Sequence, residues 1–509
     1  MNNSADVIIV GAGVGGLCSA YQLLNTDPSL KITILEKANY VGGRVKTLYQ
    51  TETGKQRAKN DNDAVHLELG ASLLSVDIHK TLLPIMKEIG FRDSDFKQVD
   101  YDNKEYALRH PFDPEMKDFK QQIDFYDVNI AEKALVKTVG EGLFRLSSAG
   151  GKLVPKSLLR PYTIGEFSHK LLSDEFSEFL QDSLGYDTPF YSLNAADGIN
   201  EIDFFIPKNG FLRFKPGLST FISTFAKHLE ERGVQILLGV NVVEINKKHF
   251  NWKDYKHDEK LEYIVSAHLT EEPIQTALEN VDLYNCNNEV YIDEVKHLPK
   301  MKIKLQSKKI KFRCSTLVLA LPASPLMKLL PNFPLLKSVI PVPLMRIYVE
   351  FDDTDWLKHL PPVVISSGLV RQFIQMSDSV IQIYVDNGIA NLWLKELQKS
   401  ESSSTRKAGN KNEFHYFVQN QLQQLFPQEA IPLPVQIYTN YCSHATHMWK
   451  KGVNSSEVLE QVLQPFLNEA IFVAGESYSH QQGWLEGPSS TSIKMVEKWK
   501  QFQQQKSQT

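Results

Sequence analysis

The stretch "DVIIVGAGVGGLCSAYQLLNTDPSLKITILEK", Asp6–Lys37, decides the fold. Val7–Val10 is an unbroken apolar run, the pattern of a strand buried on both faces in a parallel sheet. Gly11, Gly13 and Gly16 follow with G-x-G-x-x-G spacing, and Gly15 is an extra glycine. Leu17, Ala20, Tyr21, Leu23 and Leu24 then recur at helical spacing as far as Asp27-Pro28. Ile32–Leu35 reads as a second buried strand, with Glu36 and Lys37 at its end. Gly11 permits a tight turn, Gly13 lets a pyrophosphate approach the backbone, and Gly16 lets the helix pack on the strand. The helix N-terminus offers free N–H groups and a positive dipole end to the phosphates. Glu36 can accept hydrogen bonds from a ribose diol. Strand, glycines, helix, strand and acid in register predict a Rossmann-type α/β dinucleotide-binding domain, without choosing between FAD and a nicotinamide.

At 509 residues the chain exceeds the size at which single cores stop growing, so two domains built from interleaved segments are expected. A composition of 42% hydrophobic and 23% charged residues is that of an ordinary globular protein. The net charge of −4 provides no basic field, and no nucleic-acid partner is expected. Cys18, Cys286, Cys314 and Cys442 are too scattered for a disulfide framework, which favours a reducing, cytoplasmic location. Neither a signal-peptide pattern nor an apolar run long enough to span a membrane is read.

Three further segments narrow the cofactor. "NYVGGRVKT" supplies Gly42, Gly43 and Arg44, and "LELGAS" supplies Glu68, Gly70, Ala71 and Ser72. "AIFVAGESYSHQQGWLEGPSSTS", Ala470–Ser492, joins a short strand to a glycine–tryptophan turn ahead of a helical pattern. With these the chain resembles the FAD-dependent amine oxidase superfamily: monoamine and polyamine oxidases, L-amino-acid oxidases and flavin histone demethylases. The resemblance implies a Rossmann-type FAD-binding domain, about 1–77, 209–320 and 450–509, interleaved with an α+β substrate domain, 78–208 and 321–449. It implies that Arg44, beside Gly43, neutralises phosphate charge, and that the backbone of Gly70, Ala71 and Ser72 approaches the isoalloxazine. Val242 or Val243, with Val243 preferred, would contact adenine through its backbone. Gly475 and Glu476 would meet the ribityl chain and phosphate, and Trp484, followed by Leu485, would form one wall of a cage before the flavin. The last helix would begin at an N-cap of Ser489 or Ser490. Lys337 in "NFPLLKSVIPVPLMRIYVEFDDTDW" would hold a water near flavin N5. Aligning Trp449 and Gly452 on the family puts Asn454 at the second cage wall. It puts Val453 where monoamine oxidases carry the flavin-bonding cysteine, so FAD is expected to be non-covalent. Pro488, Thr491 and Ser492 depart from the family's A-x-x-S-G.

The function implied is oxidation of a C–N bond in a small-molecule amine to an imine, with O2 as acceptor and hydrogen peroxide released. The glycine fingerprint is shared with isoprenoid and porphyrinogen oxidases or desaturases, and a prenylcysteine-type thioether oxidase is a further alternative. A catalytically silent flavin-binding interaction protein is the alternative of another class. Elsewhere, 78–208 reads as helices and loops walling a substrate cavity, and Leu218–Glu231 as a helix followed by strands Val234–Leu238 and Val240–Ile245. Asn251–Lys304 reads as loops and hairpins, Lys399–Asn412 as a surface loop, Phe414–Phe426 as a helix and Val435–Tyr441 as a strand. Cys442, His444 and His447 in "YCSHATHMW" lack a second ligand cluster, so no metal is expected.

Overall fold

A computed structural model describes residues 4–49, 66–99, 106–109, 123–135, 154–199, 209–247, 263–269, 309–402 and 413–508. The chain first forms β1 (Ser4–Val10), α1 (Val14–Thr26), β2 (Ile32–Leu35), β3 (Thr47–Tyr49), β4 (His66–Glu68) and α2 (Leu82–Glu88). β5 (Phe96–Val99) and β6 (Tyr106–Arg109) precede helices α3 (Ile164–Leu171) and α4 (Asp174–Leu184). Next come β7 (Phe211–Phe214), α5 (Leu218–Glu231), β8 (Gln235–Leu237), β9 (Val240–Lys247), β10 (Tyr263–Leu269) and β11 (Lys309–Leu319). β12 (Val339–Glu350), β13 (Val363–Ser366), β14 (Gln372–Gln375) and β15 (Val380–Asp386) lead into α6 (Asn387–Ser402), α7 (Glu413–Leu425) and β16 (Gln436–Trp449). α8 (Ser455–Val462), β17 (Ile471–Val473) and α9 (Glu486–Gln508) follow.

The fold is α/β, built on two main sheets. The first is ordered β8-β2-β1-β11-β10-β9, with β17 also beside β11. β1 runs parallel to β2 and β11, and β17 is parallel to β11. Val7–Val10 and Ile32–Leu35 are buried throughout, as unbroken apolar runs in a covered parallel sheet must be. Helices α1 and α9 lie against each other: the Ser492 hydroxyl donates to Gly15 O at 3.1 Å. α5 adds Phe221 and Phe225 to the same core.

The second sheet is ordered β16-β12-β15-β14-β13-β6. Its centre is the antiparallel pairing of β12 with β15 and β16. Side chains alternate across a strand, and β12 uses both faces. Met345, Ile347 and Val349 pack with apolar residues of α6 and α7, including Trp393 and Phe414. Arg346 and Tyr348, with Asn440 of β16, bond instead to residues 68–72. The polar face thus seams this sheet to the segment that carries Gly70.

Several expectations need correction. β5 and β6 fall in the region expected to hold mostly helices with loops. Each is four residues long, too short for a periodic signal, and β6 becomes a strand only by pairing with β13. β10 lies inside the segment expected to be loops and hairpins, and pairs with both β9 and β11. Its Tyr263, Val265, Ser266 and Ala267 are all buried, as suits a strand with a neighbour on either side. The rest of Asn251–Lys304 lies outside the described residues. Helix α6 runs to Ser402 and covers the start of the expected loop Lys399–Asn412, whose remainder is also outside the described residues. β16 extends through "YCSHATHMW" to Trp449. α9 starts at Glu486, so Ser489 and Ser490 lie inside the helix rather than capping it. Among the described residues no helix is long and apolar enough to cross a membrane.

Candidate cofactor and substrate site

The site lies at the carboxyl ends of β1, β2, β11 and β17, where open parallel sheets bind ligands. Gly11 ends β1 with φ +105°, and a Cβ there would sit 2.5 Å from Ala320 O. A Cβ on Gly16 would lie 1.9 Å from Gly11 O, so only glycine lets α1 approach the turn. Gly13 is the N-cap of α1 and supplies no side-chain cap. The first-turn N–H groups are therefore left for an anion. Gly15 packs 3.4 Å from Gly475 Cα, measured from where its Cβ would stand, which brings the two glycine turns together.

Glu36 is buried at the end of β2. Its Oε2 accepts from Ala12 N and its Oε1 from Ala38 N, both at 2.8 Å. Two backbone bonds fix the carboxylate and leave lone pairs for a ribose diol. Lys37 is exposed. Val240 N donates to Glu36 O at 2.7 Å, which places Val240 beside the acid. Val243 stands three residues farther along β9 and is 43% exposed, so the valine backbone that abuts Glu36 is that of Val240.

Gly42 and Gly43 turn with φ of +117° and +59°, and Gly42 N reaches Ala12 O at 2.9 Å. Arg44 follows, half-buried. Its Nη1 donates to Glu476 Oε2 at 2.9 Å and to Ala445 O at 2.8 Å. Glu476 is the hub of this corner. Its Oε1 accepts from Thr446 Oγ1, His447 N and Gly483 N, and its Oε2 also meets His447 Nδ1. Burial alone would raise its pKa. Arg44 and His447 outweigh burial and hold the carboxyl well below the usual carboxylate range. Gly70 packs on the Arg44 backbone, and a Cβ there would fall 1.8 Å from Arg44 O. Ala71 and Ser72 continue this segment half-buried.

The glycine–tryptophan turn is built by Gly483, with φ +83°. Trp484 is half-buried and stacks on Phe211 of β7, centroids 6.0 Å apart and planes 11° apart. His79 meets the same indole edge-on at 5.9 Å. Burial pushes the His79 imidazole down to about 4, against an opposing bond from Ser75, so it is neutral at physiological pH. Leu485 is buried in the core. Glu486 has a use the sequence did not reveal. Its carboxylate accepts from Thr81 N at 2.9 Å and Leu82 N at 3.2 Å, so it caps α2 from a distant segment. Ser489 joins it by bonding Thr81 Oγ1 at 2.7 Å.

Two expected residues stand elsewhere. Asn454 occupies the N-cap position of α8, past a turn where Gly452 N bonds Arg160 O. Phe211 is the aromatic that faces Trp484. Lys337 is exposed on a short 3-10 turn, Pro334–Ser338. The buried cation at the seam is Arg346, whose Nη2 donates to Ser72 Oγ at 3.0 Å.

Crowded glycines, an uncapped helix start and a fixed acid at the strand end form a cradle that fits FAD. The fold and site are those of a dinucleotide-binding α/β protein with a second, mostly antiparallel sheet bonded to the segment that carries Gly70. The family model for flavin-containing amine oxidoreductases matches residues 14–267. This chain belongs to that family, whose cofactor is FAD. It is 33% identical over 119 residues to amine oxidase [flavin-containing] B of Mus musculus, covering 22% of this chain and 20% of that protein. It is 29% identical over 109 residues to an L-amino-acid oxidase of Bothrops pauloensis, covering 21% and 19%. The chain thus matches about a fifth of the length of these curated relatives. A putrescine oxidase double mutant shares the fold at TM-score 0.63 and 14% identity, covering 98% of this chain and 99% of that one. A protein of Exiguobacterium sp. 255-15 assigned as a protoporphyrinogen oxidase aligns at TM-score 0.60 and 15% identity, covering 98% of each chain.

Proposed function

We propose that this chain is an FAD-dependent oxidase that converts a small-molecule amine to an imine, with dioxygen as final acceptor and hydrogen peroxide released. The observation that carries the reading is the Trp484–Phe211 pair at the glycine turn beside an FAD-type cradle. FAD, when bound, supplies the acceptor for a hydride from the carbon next to nitrogen. The chain supplies position and electrostatics. Trp484 and Phe211 present an aromatic wall to an apolar substrate body. Neutral His79 braces the indole from its edge. Arg44 and Glu476 lock the cradle to β16. No general base is assigned, because a neutral amine that gives up a hydride becomes an iminium through its nitrogen lone pair, and the iminium then loses its N–H proton to water to leave the imine. Water then hydrolyses the imine to a carbonyl compound.

In this reading the FAD is non-covalent. Cys18, Cys314 and Cys442 are all buried, and burial pushes the Cys18 thiol up to about 12, which supports this. The same cysteines favour a cytoplasmic location. The division into segments 1–77, 209–320 and 450–509 for the cofactor and the remainder for substrate belongs to the same reading. Purified holoprotein should bleach anaerobically on mixing with an amine it oxidises, and peroxide should appear when air is admitted. Acid precipitation should leave the flavin in solution. An FAD-loaded protein inert to monoamines, polyamines, amino acids and thioethers would sink the oxidase proposal. Bleaching by thioethers alone would replace the amine with a sulfur substrate.

A further inference from the structure

Trp484 and Phe211 lie nearly parallel, yet their ring centroids are 6.0 Å apart. A body held between two rings needs about 7 Å, twice the roughly 3.5 Å contact distance of carbon atoms. The pair as it stands leaves no room between its rings. A substrate that uses both faces requires one ring to step back.

The two rings are held differently. On the Trp484 side the anchors are buried. His79 meets the indole edge-on at 5.9 Å, is itself buried, and takes a hydrogen bond from Ser75 N on its Nδ1 at 3.0 Å. Leu485 and Glu486 are buried next to Trp484, and the Glu486 carboxylate accepts from Thr81 N and Leu82 N. On the Phe211 side the anchor is Asn209, which is exposed. Its backbone N donates to Asp77 Oδ2 at 2.8 Å and its Nδ2 to Asp77 Oδ1 at 2.6 Å. Its carbonyl accepts from Gln98 Nε2 at 2.7 Å. Gly210 stands between Asn209 and Phe211 with φ +64°, a conformation glycine adopts without strain. Phe211 is the first residue of β7, opposite Val99 at the end of β5. One residue on, the strand is fixed again, because Leu212 and Leu74 exchange two backbone bonds of 2.7 and 2.9 Å. The short segment 74–82 therefore reaches both rings, with His79 against the first and Asp77 on the tether of the second. Exposed hydrogen bonds open at lower cost than buried ones, so Phe211 is the ring that moves.

We propose that Asp77 is a positioning residue that, through Asn209, keeps Phe211 closed on Trp484, and that substrate enters between the rings when this latch opens. The proposal takes from the oxidase reading only that this corner faces substrate; the latch itself concerns ring spacing. Closure taxes binding, because only the open fraction of molecules accepts a ring. Freeing the latch therefore tightens binding, whereas damage to a merely structural contact weakens it.

The test uses FAD-loaded protein. Benzyl alcohol is titrated and followed by the flavin difference spectrum, a readout independent of turnover. Asp77→Ala should bind it at least about threefold more tightly than wild type, as loss of the closed state requires. Asp77→Asn, which keeps one acceptor, should fall between the two. Asn209→Ala removes one of the two bonds from the other end and should shift binding the same way, so the result does not hang on one variant folding. Benzylamine is then compared as a flavin reductant without oxygen. Its half-saturating concentration should fall in Asp77→Ala by a larger factor than the limiting bleaching rate changes. Equal or weaker binding of benzyl alcohol by Asp77→Ala and Asn209→Ala overturns the latch. So does failure of wild type and both variants to bind it. If alcohol binding tightens but no amine bleaches the flavin, the latch stands and the oxidase reading falls. If benzylamine bleaches wild type and variants with one half-saturating concentration, the oxidase reading stands and the latch falls.

Discussion

In the seven-stranded sheet the site residues sit at strand ends, on glycine turns where backbone touches backbone. In the six-stranded sheet they sit mid-strand, as side chains on one face of β12, β15 and β16. Gly16, Gly11 and Gly70 have no room for even a methyl group. Arg346, Tyr384 and Tyr348 are held by side-chain contacts. In the proposed reading the first sheet holds the cofactor and the second shapes the substrate side. Substitutions in the two regions should fail differently, through loss of flavin in one and altered selectivity in the other.

The largest effect should come from Gly16→Val. Its Cβ would stand 1.9 Å from the Gly11 carbonyl oxygen, a backbone atom that cannot swing aside. We expect about 3 kcal/mol of destabilisation and little flavin absorbance per mole of protein. Near-normal flavin content would break the contrast, because the cradle would then be as forgiving as the face. Glu476→Gln should cost about 3 kcal/mol, since it leaves half-buried Arg44 and buried His447 without their shared carboxylate. The pH dependence has a definite sign. A carboxyl held below its ordinary value of 4.5 stabilises the fold above that pH and loses the contribution as the solution is acidified further. Thermal midpoints of wild type should therefore fall more steeply than those of Glu476→Gln below that value.

Glu68, on the seam, should behave oppositely. Its folded value is raised from 4.5 to about 7, so its favourable protonation is lost as pH rises through that interval. Stability should decline by roughly 2–3 kcal/mol across it, and Glu68→Gln should flatten the slope. A slope unchanged in the variant would assign the decline to other groups. Glu486→Gln keeps one acceptor for α2 and loses the charge, and about 1 kcal/mol is expected, with changed indole fluorescence as Trp484 loosens. Lys337→Met and Val243→Ser should each stay within about 0.5 kcal/mol and leave flavin content unaltered. A slowed flavin reduction in Lys337→Met would restore that lysine to the site.

How much could be read in advance follows the same division. Gly11 to Glu36 is a local pattern: burial, turn and helix start all act within a few residues, so the sequence order is also the spatial order. Trp484 was legible because its turn is local too. Its partner was not, since Phe211 arrives on another strand and only tertiary packing pairs them. Between Trp449 and Asn454 the chain leaves β16 and turns toward Arg160 at Gly452, a change of direction that spacing alone does not carry. The contacts to the cradle are made earlier, by Ala445, Thr446 and His447. Arg346 did carry a signal. Met345, Ile347 and Val349 alternate with it, and an arginine opposite an apolar stripe marks the polar face of a strand. Lys337, nine residues earlier, lies instead on a short turn that exposes it.

The bond from Ser492 to the Gly15 carbonyl spans 477 residues of sequence. Until α9 is made, α1 lacks the surface that α9 covers, and Glu486 has not yet arrived to hold α2. The cradle is complete only when two segments far apart in the chain have met, so cofactor capture waits on a long-range contact rather than on the glycine turn itself.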